Sequence, residues 1–166
     1  MKRRKEDIGY IPKPLMTLQT KVRLERELQV AEEEAKDAEQ AIGSAGGTDD
    51  WHENFALEQA YQDFDRRIKK SLRLRSLLSN VEIIKPRQEV GEIGLGNTII
   101  VQYGDDDSEK FTVLGEADIG TQRGWISFAS PLGSKLIGKK KGDTFELESG
   151  GVVHSVRVLD VLPGDF

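Results

Sequence analysis

The chain has 166 residues, of which 37% are hydrophobic and 32% charged, with a net charge of −5 and no cysteine. That length allows one or two modest domains. The missing thiols exclude disulfides and thiolate metal sites, and no run of about 18 apolar residues is present to cross a bilayer. The opening Met1-Lys2-Arg3-Arg4-Lys5 is basic, but Glu6-Asp7 follows it instead of an apolar stretch, so no secretory signal is expected. Absence of cysteine fits a reducing cytoplasm. Residues 1–85 carry 16 basic and 16 acidic side chains, whereas residues 86–166 carry 8 and 13. A nonspecific nucleic-acid coat is therefore excluded, and any contact with nucleic acid must be local.

In chain order, Pro12 and Pro14 favour an extended lead-in and Thr17 is a candidate helix N-cap. Apolar residues then recur as Leu24, Leu28, Ala31, Ala35, Ala38 and Ile42, a heptad seam whose small distal residues allow close helix packing. The run is expected to stop at Gly43-Ser44-Ala45-Gly46-Gly47, where glycines let the chain reverse. A second seam reads Leu57, Tyr61, Phe64 and Ile68, with a stutter near Leu72 before Leu74, Leu78 and Val81. Two heptad helices joined by a short glycine turn predict an antiparallel coiled-coil hairpin.

Asp50-Trp51-His52-Glu53-Asn54 falls at the tip of that hairpin, with Asp49 just before it. Asp-x-x-Glu at a helix start is a capping box, in which each side chain satisfies a backbone N–H. The same two carboxylates are hard oxygen donors suited to Mg²⁺. Both roles are compatible, because capping would preorganise the acids. Trp51 is expected to pack on the hairpin end, and His52 with His154 is too small a set for a metal site.

Further along, Arg66, Arg67, Lys69, Lys70, Arg73 and Arg75 place six cations in ten residues. They either neutralise the first arm, where Glu25–Glu39 holds seven acids against two bases, or guide an RNA by salt-sensitive contacts.

After Pro86 the heptads give way to short β-type runs at Asn97–Tyr103, Glu109–Leu114, Trp125–Ala129, Thr144–Leu147 and Val152–Leu162. Gly104-Asp105-Asp106-Asp107 and Glu148-Ser149-Gly150-Gly151 read as hairpin turns. Pro131–Ile137 is a candidate short helix closed by Gly138. Lys139, Lys140 and Lys141 decorate a turn. Gly91, Gly94 and Gly96 do not form a phosphate loop, and no Ser-His-Asp or Cys-His arrangement is legible. The expected fold is α+β: residues 1–85 form an N-terminal extension and hairpin, and residues 86–166 form a small, curved antiparallel sheet domain with one short helix.

Three stretches in this order resemble the Gre family of bacterial transcript-cleavage factors. They are Met16-Thr17-Leu18 with Leu24-Glu25-Arg26-Glu27-Leu28, the tip Asp50-x-x-Glu53-Asn54, and Ser130-Pro131-Leu132-Gly133 with Leu136-Ile137-Gly138-Lys139-Lys140-x-Gly142-Asp143. The resemblance implies an FKBP-like second domain that docks on RNA polymerase through Ser130, Pro131 and Leu132. It implies a hairpin that enters the secondary channel. Asp50 and Glu53 would there share a Mg²⁺ with the polymerase and promote cleavage of backtracked 3′ RNA, supported by Asn54 and Asp49. On this reading the free protein binds no metal stably, acts as a monomer without a membrane, and is no enzyme alone. The rival reading is a Gre-like channel inhibitor without cleavage activity. A prolyl isomerase would need Tyr103, Phe111, Trp125, Phe128 and Phe145 gathered round one pocket.

Overall fold

The computed structural model describes residues 13–45, 51–104 and 108–166, with the backbone path alone for 44, 45 and 51–54. Short strand β1 (Leu15–Thr17) runs straight into helix α1 (Leu18–Ala45), and α2 (Trp51–Leu78) returns to strand β2 (Glu82–Ile84). Each helix has 28 residues. At about 1.5 Å per residue each is ~42 Å long. Helix α1 continues through Gly43 to Ala45, past the expected stop. The rest of the expected glycine turn, Gly46 and Gly47, lies outside the described residues, as do Asp105, Asp106 and Asp107.

The first seam folds as its spacing predicts. Leu24, Ala31, Ala35 and Ala38 are buried, with Leu28 and Ile42 half-buried. The second does so in part: Leu57, Phe64, Ile68, Leu74, Leu78 and Val81 are half-buried as expected. Tyr61 and Leu72 are 54% and 53% exposed, whereas Ser71 is 3% exposed. Between residues 57 and 78 the half-buried or buried positions are Leu57, Ala60, Asp63, Phe64, Arg67, Ile68, Ser71, Leu74, Leu77 and Leu78. Within that set, Leu57, Ala60, Phe64, Arg67, Ser71, Leu74 and Leu78 are spaced alternately 3 and 4 apart, a heptad that passes Leu72 without a shift and has Ile68 at its edge. Apolarity misled here because a cation and a serine occupy seam positions. Ser71 satisfies its hydroxyl internally, donating to Ile68 O at 2.9 Å. Its small volume suits a partner seam of alanines.

At the open end of the hairpin, β1 and β2 pair in parallel, Leu15 with Glu82 through Thr17 with Ile84. Neither strand was expected. Each is three residues long, too short for a periodic signal. From there the chain enters a five-stranded sheet of order β5-β4-β3-β7-β6, comprising β3 (Thr98–Tyr103), β4 (Ser108–Leu114), β5 (Trp125–Ser127), β6 (Thr144–Ser149) and β7 (Val152–Leu162). The expected curved sheet with one short helix is present, but it is mixed: β5 pairs with β4 in parallel. That edge strand is three residues long, ending at Ser127 and not at Ala129. Asn97 anchors the entry to the sheet. Its buried side chain accepts from Gly94 N at 2.9 Å and donates to Glu89 O at 2.9 Å.

A main core forms from Ile93, Ile99, Val101, Val113, Leu136, Leu147, Val156, Val158 and Val161. A register shift between Ile100 and Val101 inserts Leu159 as an extra residue in β7. The bulge reverses the alternation of faces, so Val158 and Val161, three apart, both point into the core. A smaller cluster of Ile84, Leu114 and Trp125, with Leu15, Leu95 and Phe166 against it, sits under the hairpin base. Adjacent Val113 and Leu114 on opposite faces of β4 thus belong to different cores. Helix α3 (Pro131–Leu136) matches the expected short helix, and Gly138 beyond it takes φ +80°.

The two versions of the second seam predict opposite mutant outcomes. Ser71→Leu should overpack the alanine seam and destabilise by about 1–3 kcal/mol. Leu72→Ser should stay within about 0.5 kcal/mol. Urea denaturation of the two variants decides it. A larger loss at Leu72 would contradict the assigned seam.

Candidate functional site

Three regions carry the sequence-derived candidates, and they lie far apart along the chain. Asp49 and Asp50 are outside the described residues. Glu53 and Asn54 are the third and fourth residues of α2, in its first turn. They belong to the end of the hairpin opposite the sheet, because the other end of α2 leads into β2 beside β1.

Halfway down α2, the basic stretch is largely matched by acids. Arg67 reaches Asp63 at 2.7 Å on its own helix and Glu34 at 3.6 Å on α1. Asp63's hydrogen bond and charge push the Arg67 pKa up, with Glu34 and Asp37 adding to the effect. Lys70 lies 3.8 Å from Glu34, and Arg75 pairs with Glu32. Arg66 and Lys69 pair within α2, with Asp63 and Asp65. Among the described residues, Arg73 alone of the six makes no ion pair. The cross-helix pairs confirm antiparallel register and hold the arms together with exposed, salt-sensitive contacts.

In the second domain, Ser130 has a clear local task. It caps α3, accepting from Gly133 N at 3.0 Å while donating to Ser127 O at 2.7 Å. Pro131, at the first turn, and Ala129 before the cap are exposed, while Leu132 packs half-buried against the main core. Gly133 must be glycine, because a Cβ there would stand 2.0 Å from Ser127 O. Tyr103, Phe111, Phe128 and Phe145 border the main core but do not gather round one cleft. Phe128 alone of them lines the cleft of about 410 Å³ beside Ile137, whereas Trp125 packs edge-on to Phe166 in the smaller cluster. Lys140 and Lys141 pair with Glu92 and Asp160 on the surface.

Sequence reasoning missed a densely hydrogen-bonded group at the hairpin base. Asp118 ends a 3₁₀ turn (Glu116–Asp118) and is 0% exposed. Its Oδ1 accepts from Thr17 N at 3.0 Å and Thr17 Oγ1 at 2.8 Å. Its Oδ2 accepts from Gly115 N at 3.1 Å and shares the Thr17 amide at 3.2 Å. Thr17 meanwhile caps α1, accepting from Thr20 N at 3.2 Å, as the sequence predicts. The backbones meet closely here: a Cβ on Gly115 would lie 1.7 Å from Leu15 O. Flanking contacts run from Gln122 to Gln19 and from Arg23 to Ala117 O. Thr17 and Asp118 are 101 positions apart, and no local pattern announces such a contact. The only hint was an aspartate three residues after a glycine, an ordinary turn signal.

Among the described residues, no group of three or more His, Cys, Asp or Glu side chains could hold a metal ion, and no helix is long and apolar enough to cross a membrane.

Residues 87–163 match the family described as transcription elongation factor, GreA/GreB, C-terminal. The transcription elongation factor GreA of Chloroflexus aggregans is 31% identical over 152 residues, covering 88% of this chain and 95% of that protein. That of Thermotoga neapolitana is 33% identical over 153 residues, covering 85% and 97%. Among solved structures, that of the transcription factor Gfh1 aligns over 92% of this chain and 99% of its own, at 22% identity and a TM-score of 0.43.

Arg75, which holds an ion pair, and Arg73, which makes none among the described residues, give a direct comparison. Arg75→Gln should lower the melting temperature at low salt by about 2 °C or less, because exposed ion pairs contribute little. The difference should vanish near ~1 M salt. Arg73→Gln should leave the melting temperature unchanged at either salt. Equal shifts at both positions would contradict the pairing.

Proposed function

The chain belongs to the GreA/GreB family of transcription elongation factors, and from that membership we propose that it rescues arrested RNA polymerase by stimulating cleavage of backtracked RNA. The observation that carries this reading is the position of Glu53: first turn of α2, at the far end of a hairpin ~42 Å long by its helical rise. A narrow two-helix arm with acids at its end can reach a buried site in another molecule. A compact domain could not.

Asp50 and Glu53 offer hard carboxylate oxygens, the donor type Mg²⁺ prefers, but two ligands are too few to hold it in the free protein. The metal is therefore shared, with its other ligands supplied by the polymerase active site. Bound there, it would supply a Lewis acid and an activated water for phosphodiester hydrolysis. Asp50 and Glu53 position that metal and water, and Asn54 and Asp49 support them from the same tip. The protein is thus a cofactor of the polymerase's own activity, working as a monomer.

The second domain is the anchor. Exposed Pro131 at the start of α3, set by the Ser130 cap and the half-buried Leu132, presents a rigid edge to the polymerase. The basic stretch guides the extruded RNA along the hairpin. Arg73 is the foremost residue for that role, since Arg66, Arg67, Lys69, Lys70 and Arg75 already hold carboxylates.

Asp50→Asn and Glu53→Gln keep side-chain shape and remove charge. Each should reduce stimulated cleavage in backtracked complexes by about 10²-fold or more, on the scale of losing a transition-state contact. Competition binding to polymerase should be unchanged. Parallel loss of binding and cleavage would show that the acids serve only to cap α2. Arg73→Gln should weaken crosslinking to the 3′ RNA while leaving folding intact. Unaltered crosslinking would remove Arg73 from the RNA path.

A further inference from the structure

The hairpin is a lever, and its fulcrum is the group of donors around Asp118. Helix α1 starts at the residue after Thr17, so any rotation at Thr17 is carried along the whole arm. Over ~42 Å, a tilt of only ~10° would move the far end by ~7 Å. Mg²⁺ ligands sit at about 2.0–2.1 Å from the ion with little tolerance, so a tip that wanders by ångströms is useless to a metal.

We propose that Asp118 is a positioning residue for the cleavage reaction: by clamping the amide and hydroxyl of Thr17, it fixes the hairpin's angle and so where Asp50 and Glu53 arrive. The inference rests on the proposed role of those two acids. Geometry at the base supports it. One fully buried carboxylate accepts from three donors, two on Thr17 and one on Gly115. The clamp thereby ties the first turn of α1 to the loop after β4, which belongs to the sheet. The β1–β2 pair binds the two ends of the hairpin to each other, which stiffens the arm. Among the described residues, the side-chain hydrogen bonds between arm and sheet that are buried are those on Asp118. The Gln122–Gln19 and Arg23–Ala117 contacts are exposed and long, at 3.3 and 3.5 Å. Thr17 works twice, as helix cap and as clamp, so helix start and helix direction are set by one side chain.

Asp118→Asn replaces a carboxylate oxygen by an N–H₂ group and cannot accept from all three donors. Thr17→Val removes the hydroxyl and keeps the amide. Thr17→Ser keeps both. The chain has no cysteine, so Glu39→Cys on the exposed outer arm and Val153→Cys on exposed β7 give two unambiguous spin-label sites. The distance distribution between them reads the arm angle in the full-length free protein without any assay of activity. A single narrow distribution is expected for wild type and Thr17→Ser. A broadened or displaced one is expected for Asp118→Asn and Thr17→Val, with a cooperative melting transition retained. Should Asp118→Asn fail to fold, Thr17→Val decides alone. Wild-type distributions in both folded variants would overturn the proposal. In backtracked polymerase complexes, the same variants should compete for binding normally and lose about 10²-fold in cleavage, the scale of a small misplacement of reacting groups. Full cleavage by a variant whose arm is loosened would also overturn it. If wild type itself stimulates no cleavage, the function proposed above fails, and the distance measurement still reports whether the clamp sets the arm.

Discussion

A single buried carboxylate joins the two parts of this molecule. Taking an aspartate out of water is costly unless its oxygens are fully satisfied, and Asp118 is satisfied by Thr17 and Gly115 together. Neither part provides the complete donor set. Thr17 begins the hairpin and Gly115 follows the sheet's β4, so the carboxylate is stable only when both are in place. Apolar contacts reinforce this, since Ile84 from the hairpin side packs with Leu114 and Trp125 from the sheet side. The backbone clearance at Gly115 leaves no room for a side chain. Sheet and hairpin base are thus joined by both polar and apolar contacts.

Along the arm, the energetic logic differs. Its seam contains alanines on one helix and Arg67 and Ser71 on the other, so little apolar area is buried per turn compared with a leucine seam. Ion pairs between Glu32 or Glu34 and Arg75, Lys70 or Arg67 add only modest stability. A slim arm must accept that weakness. Bulky seam residues would spread the helices into a wider hairpin. The strongest packing is instead concentrated at the base and in the valine-rich sheet core.

How much of this could be read from the chain depended on distance along it. Leu24 to Ile42 repeat locally, and their burial follows the spacing. The strand over Val152–Leu162 was likewise legible from an alternating apolar run, and the Pro131 helix from its proline start and glycine end. The seam of α2 was legible at Leu57, Phe64, Ile68, Leu74 and Leu78 but misread at Tyr61 and near Leu72, where hydrophobicity stood in for position: Leu72 is apolar and faces water, while polar Ser71 is buried. The parallel pairings of β1 with β2 and β4 with β5 involve three-residue strands, too short to show a period. The Asp118 clamp depends on a contact spanning 101 positions. Of the candidate site, Glu53 falls in the first turn of α2, and three of the six cations of the basic stretch, Arg67, Lys70 and Arg75, pair with acids of the first arm, whereas Arg66 and Lys69 pair within α2. The tip acid Asp50 rests on the resemblance, and Asp49 on its place beside it in the sequence.

The central claim is that this hairpin completes a cleavage site it does not itself contain. Its most direct test is release of 3′ RNA fragments from backtracked elongation complexes in Mg²⁺, with the full-length protein added at saturating occupancy. The account predicts fast endonucleolytic cleavage that needs both polymerase and protein, with none when the protein meets free RNA. Cleavage no faster than in the polymerase alone, at confirmed full occupancy, would contradict it.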